Sequence, residues 1–279
     1  MAKLTSRLSG RSNGVAMAGG PLLIAIHGGT YHSAYFDLPG SSLLQRAAAN
    51  GVSAVAVDRP GYEASPMLAP EQMDIAGQGE FLVEALGEVW KLHGARCSGI
   101  VLIGHSIGAA IAATVASLAP SWPLVGLAIS GVGLTTNPGD HERWLALPDL
   151  PLVDMPAEVK DQVMFGPSGS FAANMPAASH AANAPAPKAE LIAITGAWHT
   201  AVRSVLGRIA VPVHYRQAEF DRLWIVDRRE VDGFAACLSR SPLVDARMIE
   251  GVGHCIDFHC IGPAFQLQQL GFALECAAR

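Results

Sequence analysis

Six short apolar runs punctuate the chain, each bounded by Gly, Pro, Ser or Asp: PLLIAIHGG (21–29), VSAVAVDRPG (52–61), SGIVLIGHS (98–106), PLVGLAISG (123–131), VPVHYRQ (211–217) and PLVDARMIEG (242–251). Most are apolar at successive positions rather than at alternate ones. That pattern predicts strands covered on both faces, as in a parallel sheet. Between them, residues 40–50, 74–94, 107–119, 228–239 and 263–276 carry apolar residues at helical spacing, as with Phe81, Leu82, Ala85, Leu86 and Val89. Segment 107–119 is almost wholly apolar, which predicts a central helix. Strand and helix alternate, so the expected class is α/β, with a mostly parallel, doubly wound sheet flanked by helices.

Residues 132–208 break this rhythm. They hold Met155, Met164, Met175 and the Ala/Pro stretch AANAPAPKAE, and no clean strand returns before Val211. So long a departure inside a compact domain points to an inserted lid over a pocket. The expected division is a core of 1–131 and 209–279 with a cap at 132–208.

Composition narrows the function classes. Of 279 residues half are hydrophobic, and the formal net charge is −5. No Lys/Arg cluster occurs, which argues against nucleic acid as a partner. No run of about 18 apolar residues occurs, which argues against a membrane-spanning helix. Lys3, Arg7 and Arg11 followed by Ala16-Met17-Ala18 imitate a signal peptide, but no apolar region separates the two parts. Five cysteines without regular pairing fit reduced thiols, hence a cytoplasmic protein, monomer or homodimer.

The third run ends in Gly104-His105-Ser106-Ile107-Gly108 and continues with small residues. A sharp strand-to-helix turn forces its central residue toward an unfavourable φ/ψ region and needs small neighbours. The serine then projects above the sheet at a helix N-terminus, where developing negative charge is favoured. Ser106 is the candidate nucleophile, and a serine hydroxyl needs a base. His254, in IEGVGHCIDF after the last predicted strand, stands at the sheet edge where open α/β sheets bind ligands. The base needs an orienting acid at another strand end. VPVHYRQAEFDRLW offers Asp221, preferred, and Glu219 as the alternative. Donors for an oxyanion are expected from the N–H of Ile107 and of Gly29, in the loop His27-Gly28-Gly29-Thr30, with Thr30 in reserve.

These pieces together resemble the α/β-hydrolase superfamily, in its capped, esterase/lipase-like branch with a Ser-His-Asp triad. The order Ser106, Asp221, His254, the HGG loop, the DRPGYEAS segment (58–65), the GHSIG elbow and the GVGH near the C-terminus carry the likeness over residues 20 to 276. The resemblance implies a cap between the sixth and seventh strands, where 132–208 lies. It implies an ester or related acyl hydrolase, and the Met-, Ala- and Pro-rich composition of 132–208 points to a medium-sized, mainly apolar small molecule as its substrate. Lactone, thioester, amide or C–C cleavage, a lyase, and a ligand receptor with weak turnover are the alternatives it leaves. Two departures stand out: residues 1–20 are weakly patterned where the family starts with two antiparallel strands, and Ala218 replaces a common Gly.

Tyr31, His32, Tyr35 and Phe36 follow the donor loop and are candidates to line a pocket. So are His105, Trp198, His199 and Trp144. HCIDFHC (254–260) holds two His and two Cys, but its spacing does not match the usual zinc patterns, so no metal is expected. No phosphate loop or nucleotide fingerprint is present, so no cofactor is implied.

Overall fold

The computed structural model describes residues 2–15 and 18–279; of the Ala16-Met17-Ala18 step, Ala16 and Met17 lie outside them. In chain order the strands are β1 (Ala2–Lys3), β2 (Ser9–Ser12), β3 (Pro21–Ile26), β4 (Ser53–Val57), β5 (Gly99–His105), β6 (Leu124–Ser130), β7 (Leu152–Val153), β8 (Ala186–Pro187), β9 (Val213–Ala218) and β10 (Val244–Ile249). The helices are α1 (Leu43–Ala49), α2 (Ile75–His93), α3 (Ile107–Ser117), α4 (Asp140–Leu145), α5 (Ala157–Met164), α6 (Met175–Ser179), α7 (Lys188–Thr195), α8 (Ala197–Leu206), α9 (Arg228–Cys237) and α10 (Gly262–Ala277). All six strands and all five helices expected from the patterning are present.

The main sheet has the order β1-β2-β4-β3-β5-β6-β9-β10. From β4 to β10 every pairing is parallel, whereas β2 runs antiparallel to both β1 and β4. The antiparallel edge that the weak patterning of residues 1–20 obscures is therefore present in short form. Its strand β2 reads Ser-Gly-Arg-Ser, which carries no apolar signal.

Alternation in the strands now has a physical meaning. Leu22, Ile24 and Ile26 of β3 pack into one core layer with Leu82 and Leu86 of α2 and Ile111 of α3. Leu23 and Ala25 face the other layer, with Leu43 and Leu44 of α1 and Phe272 of α10. Both faces are dry, so both sets must be apolar. Helix α3 is buried along its whole length. Its Ala and Gly residues let it lie close against the sheet and α2, which a helix of larger side chains could not do.

Register sets the site. Ile26 is level with Gly104, His105 with Ser130, and Ser130 with Arg216. The carboxyl ends of β3, β5, β6 and β9 thus open onto one edge, where the loops after them converge. Residues 132–208 form a helical excursion between β6 and β9, containing α4 to α8 and the two-stranded β7–β8 ribbon.

Candidate active site

Ser106 follows β5 directly and caps α3 with φ 56° and ψ −126°. A non-glycine residue rarely adopts this backbone, and it persists only where the surroundings over-determine it. They do so here. The Ser106 N–H donates to the Ser130 carbonyl at 2.8 Å, and Ala109 and Ala110 donate back to the Ser106 carbonyl. A β-carbon at Gly108 would stand 2.2 Å from the Ile26 carbonyl oxygen, and one at Gly104 2.6 Å from the Ala109 Cα. The two glycines therefore let α3 start against the ends of β3 and β5, and this contact fixes the turn.

His254 is fully buried on the loop after β10, and its Nδ1–H donates to Asp221 Oδ2 at 2.7 Å. Asp221 sits in the turn after β9. Its Oδ2 also accepts from Gln217 Nε2 at 3.0 Å, and its Oδ1 from the Leu223 N–H at 2.9 Å. Three donors on one carboxylate fix its orientation. Ala218, where a glycine is common in the resembled family, is buried and accepts the Asp221 N–H in the same turn, so the substitution does not displace the acid. Glu219 instead accepts the Gly251 N–H at an exposed position. It does not meet His254.

The other imidazole nitrogen, Nε2, is buried and has no hydrogen-bond partner among the described residues. The His254 ring lies 4.8 Å from that of His105, the residue before Ser106. Both rings edge Gly131: a β-carbon there would be 3.0 Å from His254 Cε1 and 2.9 Å from His105 Cε1. Gly131 thus lies against both imidazoles, one residue after Ser130, whose carbonyl accepts the Ser106 N–H.

Gly29, Thr30, Ser106 and Ile107 line one end of a cavity of about 460 Å³. The rest of its wall comes mostly from the 132–208 excursion, with Trp144, Leu147, Met155, Val159 and Leu191 among the apolar contributors. Asp140, Arg143, Asp154 and Arg222 are the charged residues on its wall. Of the aromatic candidates, Trp144 faces this cavity and Trp198 does not. Trp198 is buried in the core, where its indole N–H donates to the Gly133 carbonyl at 3.1 Å. His199 accepts the Thr136 N–H. Tyr31 and His105 also turn away from the cavity. Tyr31 packs edge-on to Tyr35 and Phe258, and His105 stacks on Tyr35 at 4.7 Å. Burial holds His105 neutral, well below the usual imidazole range, aided by nearby His254. Tyr35 and Phe36 belong to a buried 3₁₀ turn over Ser33–Asp37, and the His32 side chain caps it. These aromatics support the loop from beneath.

The His/Cys group disperses in the same way. His259 Nε2 accepts the N–H groups of Gly166 and Gly253, each at 3.0 Å, and its Nδ1–H donates to the Cys255 carbonyl. Asp257 accepts from Tyr35 and Gln266.

Three buried charged residues escape sequence reasoning. Arg59 and Glu190 form an ion pair at 2.6 Å with neither side chain exposed. Lys160, on α5, lies over the Tyr31 ring and donates to the Thr30 carbonyl and to Asn183 Oδ1. Desolvation pushes the Lys160 ammonium down to about 7, against the raising influence of Cys255, Asp161 and Asp154. Between that value and the ordinary lysine range the unfolded chain binds a proton that the folded one has released, so stability rises with pH. The thermal transition should therefore gain about 2 kcal/mol from pH 7 to 9 in wild type. It should gain much less in Lys160→Met, as differential scanning calorimetry would register; equal slopes would contradict the assignment.

A profile for the alpha/beta hydrolase family matches residues 23–260. The chain belongs to the alpha/beta hydrolase family. This α/β-hydrolase also resembles many solved structures. One is a putative aryl esterase from Burkholderia cenocepacia, 15% identical over 98% of this chain and 96% of that one, with a TM-score of 0.68. Another is a monoacylglycerol lipase from Paleococcus ferrophilus, 15% identical over 97% and 99%, with a TM-score of 0.69. A third is an N-acyl homoserine lactonase, 15% identical over 98% and 97%, with a TM-score of 0.67. At such identities these α/β-hydrolase structures speak for the shared fold alone. No curated protein matches the chain in sequence. No described helix of this α/β-hydrolase is long and apolar enough to cross a membrane.

Proposed function

We propose that the protein is a serine hydrolase that cleaves a carboxylic ester, or a related acyl bond, of a medium-sized and mainly apolar small molecule. The observation that carries the reading is the strained Ser106 on the wall of an apolar cavity, next in sequence to His105, whose ring lies 4.8 Å from that of a His254 whose Nδ1–H is held by Asp221 and whose Nε2 has no partner among the described residues. In this reading His254 Nε2 takes the Ser106 proton as Oγ attacks the substrate carbonyl. The N–H groups of Gly29 and Ile107 receive the oxyanion. The imidazolium then returns its proton to the leaving alcohol, and water repeats the sequence on the acyl-enzyme. The open Nε2 suits a group that must accept a proton rather than hold one.

Residues 132–208 act as the cap, since they supply most of the cavity wall. The apolar side chains of Trp144, Leu147, Met155, Val159 and Leu191 favour uncharged acyl groups, because a carboxylate laid against them would lose its hydration, and Arg143 on the same wall is already paired with Asp140. The esterase, lipase and lactonase named among the similar structures are all acyl-bond hydrolases by name, which agrees with this class. Five free cysteines fit a cytoplasmic protein, acting as monomer or homodimer.

A panel of p-nitrophenyl esters combined with fluorophosphonate labelling tests the proposal. Neutral medium-chain esters should turn over with kcat/KM at least about tenfold above that of an ω-carboxylated counterpart. The probe should attach to Ser106 in peptide mass spectrometry. Absence of both turnover and labelling would sink it.

A further inference from the structure

The Arg59–Glu190 pair lies directly behind the loop that should hold the oxyanion. We infer that Arg59 is a positioning residue. With His27 it fixes the Gly28–Gly29 peptide so that the Gly29 N–H faces the carbonyl oxygen attacked by Ser106, and Glu190 from the 132–208 segment holds Arg59 in that pose. The inference rests on the acyl-transfer reading above.

Arg59 uses its whole fork. Nε donates to the His27 carbonyl at 2.9 Å. Nη1 donates to Gln78 Oε1 at 2.7 Å and Glu190 Oε2 at 2.6 Å. Nη2 donates to the Gly28 carbonyl at 3.1 Å and Glu190 Oε1 at 3.0 Å. Five donors on one plane meet five acceptors, and a lysine could not reproduce this.

The Gly28 carbonyl has a second donor. The Arg59 backbone N–H donates to His27 Nε2 at 3.1 Å, so that nitrogen carries a lone pair and the proton sits on Nδ1. His27 Nδ1 stands 2.8 Å from the Gly28 oxygen and donates to it. Burial keeps this imidazole neutral, well below its usual range, and Arg59 adds to the effect. Two donors thus pin one carbonyl into the buried cluster. Across a trans peptide the N–H points the opposite way from the C=O. Gly29 lines the cavity together with Ser106 and Ile107, while Arg59, His27 and Glu190 do not. A β-carbon at Gly28 would lie 2.9 Å from Ser106 Cβ, so this peptide runs alongside the candidate nucleophile.

The Tyr62 hydroxyl donates to Glu190 Oε1 at 2.5 Å and braces the same carboxylate. The peptide whose carbonyl is pinned is the one that carries the Gly29 N–H, which makes Gly29 the loop's fixed donor. A β-carbon at Gly29 would be 3.5 Å from Glu190 Oε1. An uncompensated carboxylate this close would oppose a developing oxyanion, and Arg59 neutralises it. Buried ion pairs are commonly replaceable by apolar side chains without loss of stability, so stability alone gives no reason for this one.

Two variants and one wild-type measurement test the assignment. Arg59→Lys keeps the charge and loses the fork. The double variant Arg59→Met with Glu190→Leu removes both charges at once and leaves no unpaired ion, so it carries the test if the lysine variant does not fold. With a p-nitrophenyl ester, kcat should fall by about 100-fold with KM within about threefold. The inhibition constant of an alkyl boronic acid, whose serine adduct is an anionic tetrahedron, should rise in parallel with the loss in kcat. In wild type selectively labelled with 15N-glycine, the same boronic acid should move the Gly29 amide proton downfield. A folded variant with unchanged kcat overturns the inference. So does a fall in melting temperature with KM and boronic acid affinity altered only as much as binding of the neutral ester, which marks a plain tether. A Gly29 amide that ignores the boronic acid also overturns it. Wild type that shows neither ester turnover nor Ser106 labelling removes the acyl-transfer reading itself, and the assignment with it.

Discussion

Ser106→Ala should lower kcat for an activated ester by about 10⁶-fold, leaving KM nearly unchanged. The argument is geometric. The side chain is the one hydroxyl that the strained turn projects into the cavity, so its removal deletes the bond-forming atom and little else. Alanine at φ 56° bears the same backbone strain as serine, so the elbow itself should persist and the melting temperature should move little. Steady-state kinetics with p-nitrophenyl butyrate, paired with a thermal melt, reads both. Residual hydrolysis above background but far below wild type is expected from the donors and the cavity alone. Activity within tenfold of wild type would remove Ser106 from the chemistry.

The second large effect is expected at the acid. Asp221→Asn should reduce kcat by about 10⁴-fold. Asp221 Oδ2 now accepts the His254 Nδ1 proton, which leaves Nε2 free to accept another. An asparagine can turn its amide N–H toward Nδ1, and the imidazole proton then moves to Nε2. In that tautomer the ring faces Ser106 as a donor and cannot take its proton. The Leu223 N–H can still be accepted by the amide oxygen, so the turn should hold. Glu219→Gln is the matched comparison. That carboxylate caps the exposed Gly251 N–H, and its neutralisation should change kcat by less than about threefold. A larger loss at Glu219 than at Asp221 would exchange the two assignments.

Much of this architecture was legible because it follows from local rules. Strands buried on both faces must be apolar on both sets of alternate positions, and β3 to β6 are. The turn at Ser106 announces itself because only glycine clears the backbone of β3 and α3. His254 and Asp221 follow strands, and parallel strands bring their ends to one edge. What stayed hidden depends on direction and distance. Tyr31 and Trp198 could face a cavity or a core with equal propriety in sequence, and both went to the core, where Trp198 finds the Gly133 carbonyl. Strand β2 has no hydrophobic signature to read. Arg59, Gln78 and Glu190 come from three separated stretches, and nothing periodic links them. Their only sequence trace is an arginine beginning a Gly/Pro turn and a glutamate early in a helix.

The buried pair also constrains how the two parts of the chain can change. Glu190 lies in the proposed lid, residues 132–208, and Arg59 in the body, and neither side chain has water to fall back on. A lid exchanged from a relative would leave Arg59 as a stranded cation behind the catalytic loop unless it brought an acid to the same place. Lid and body are therefore expected to be interchangeable only as a matched set, and a chimera that ignores position 190 should misfold or lose activity before its new pocket is ever tried.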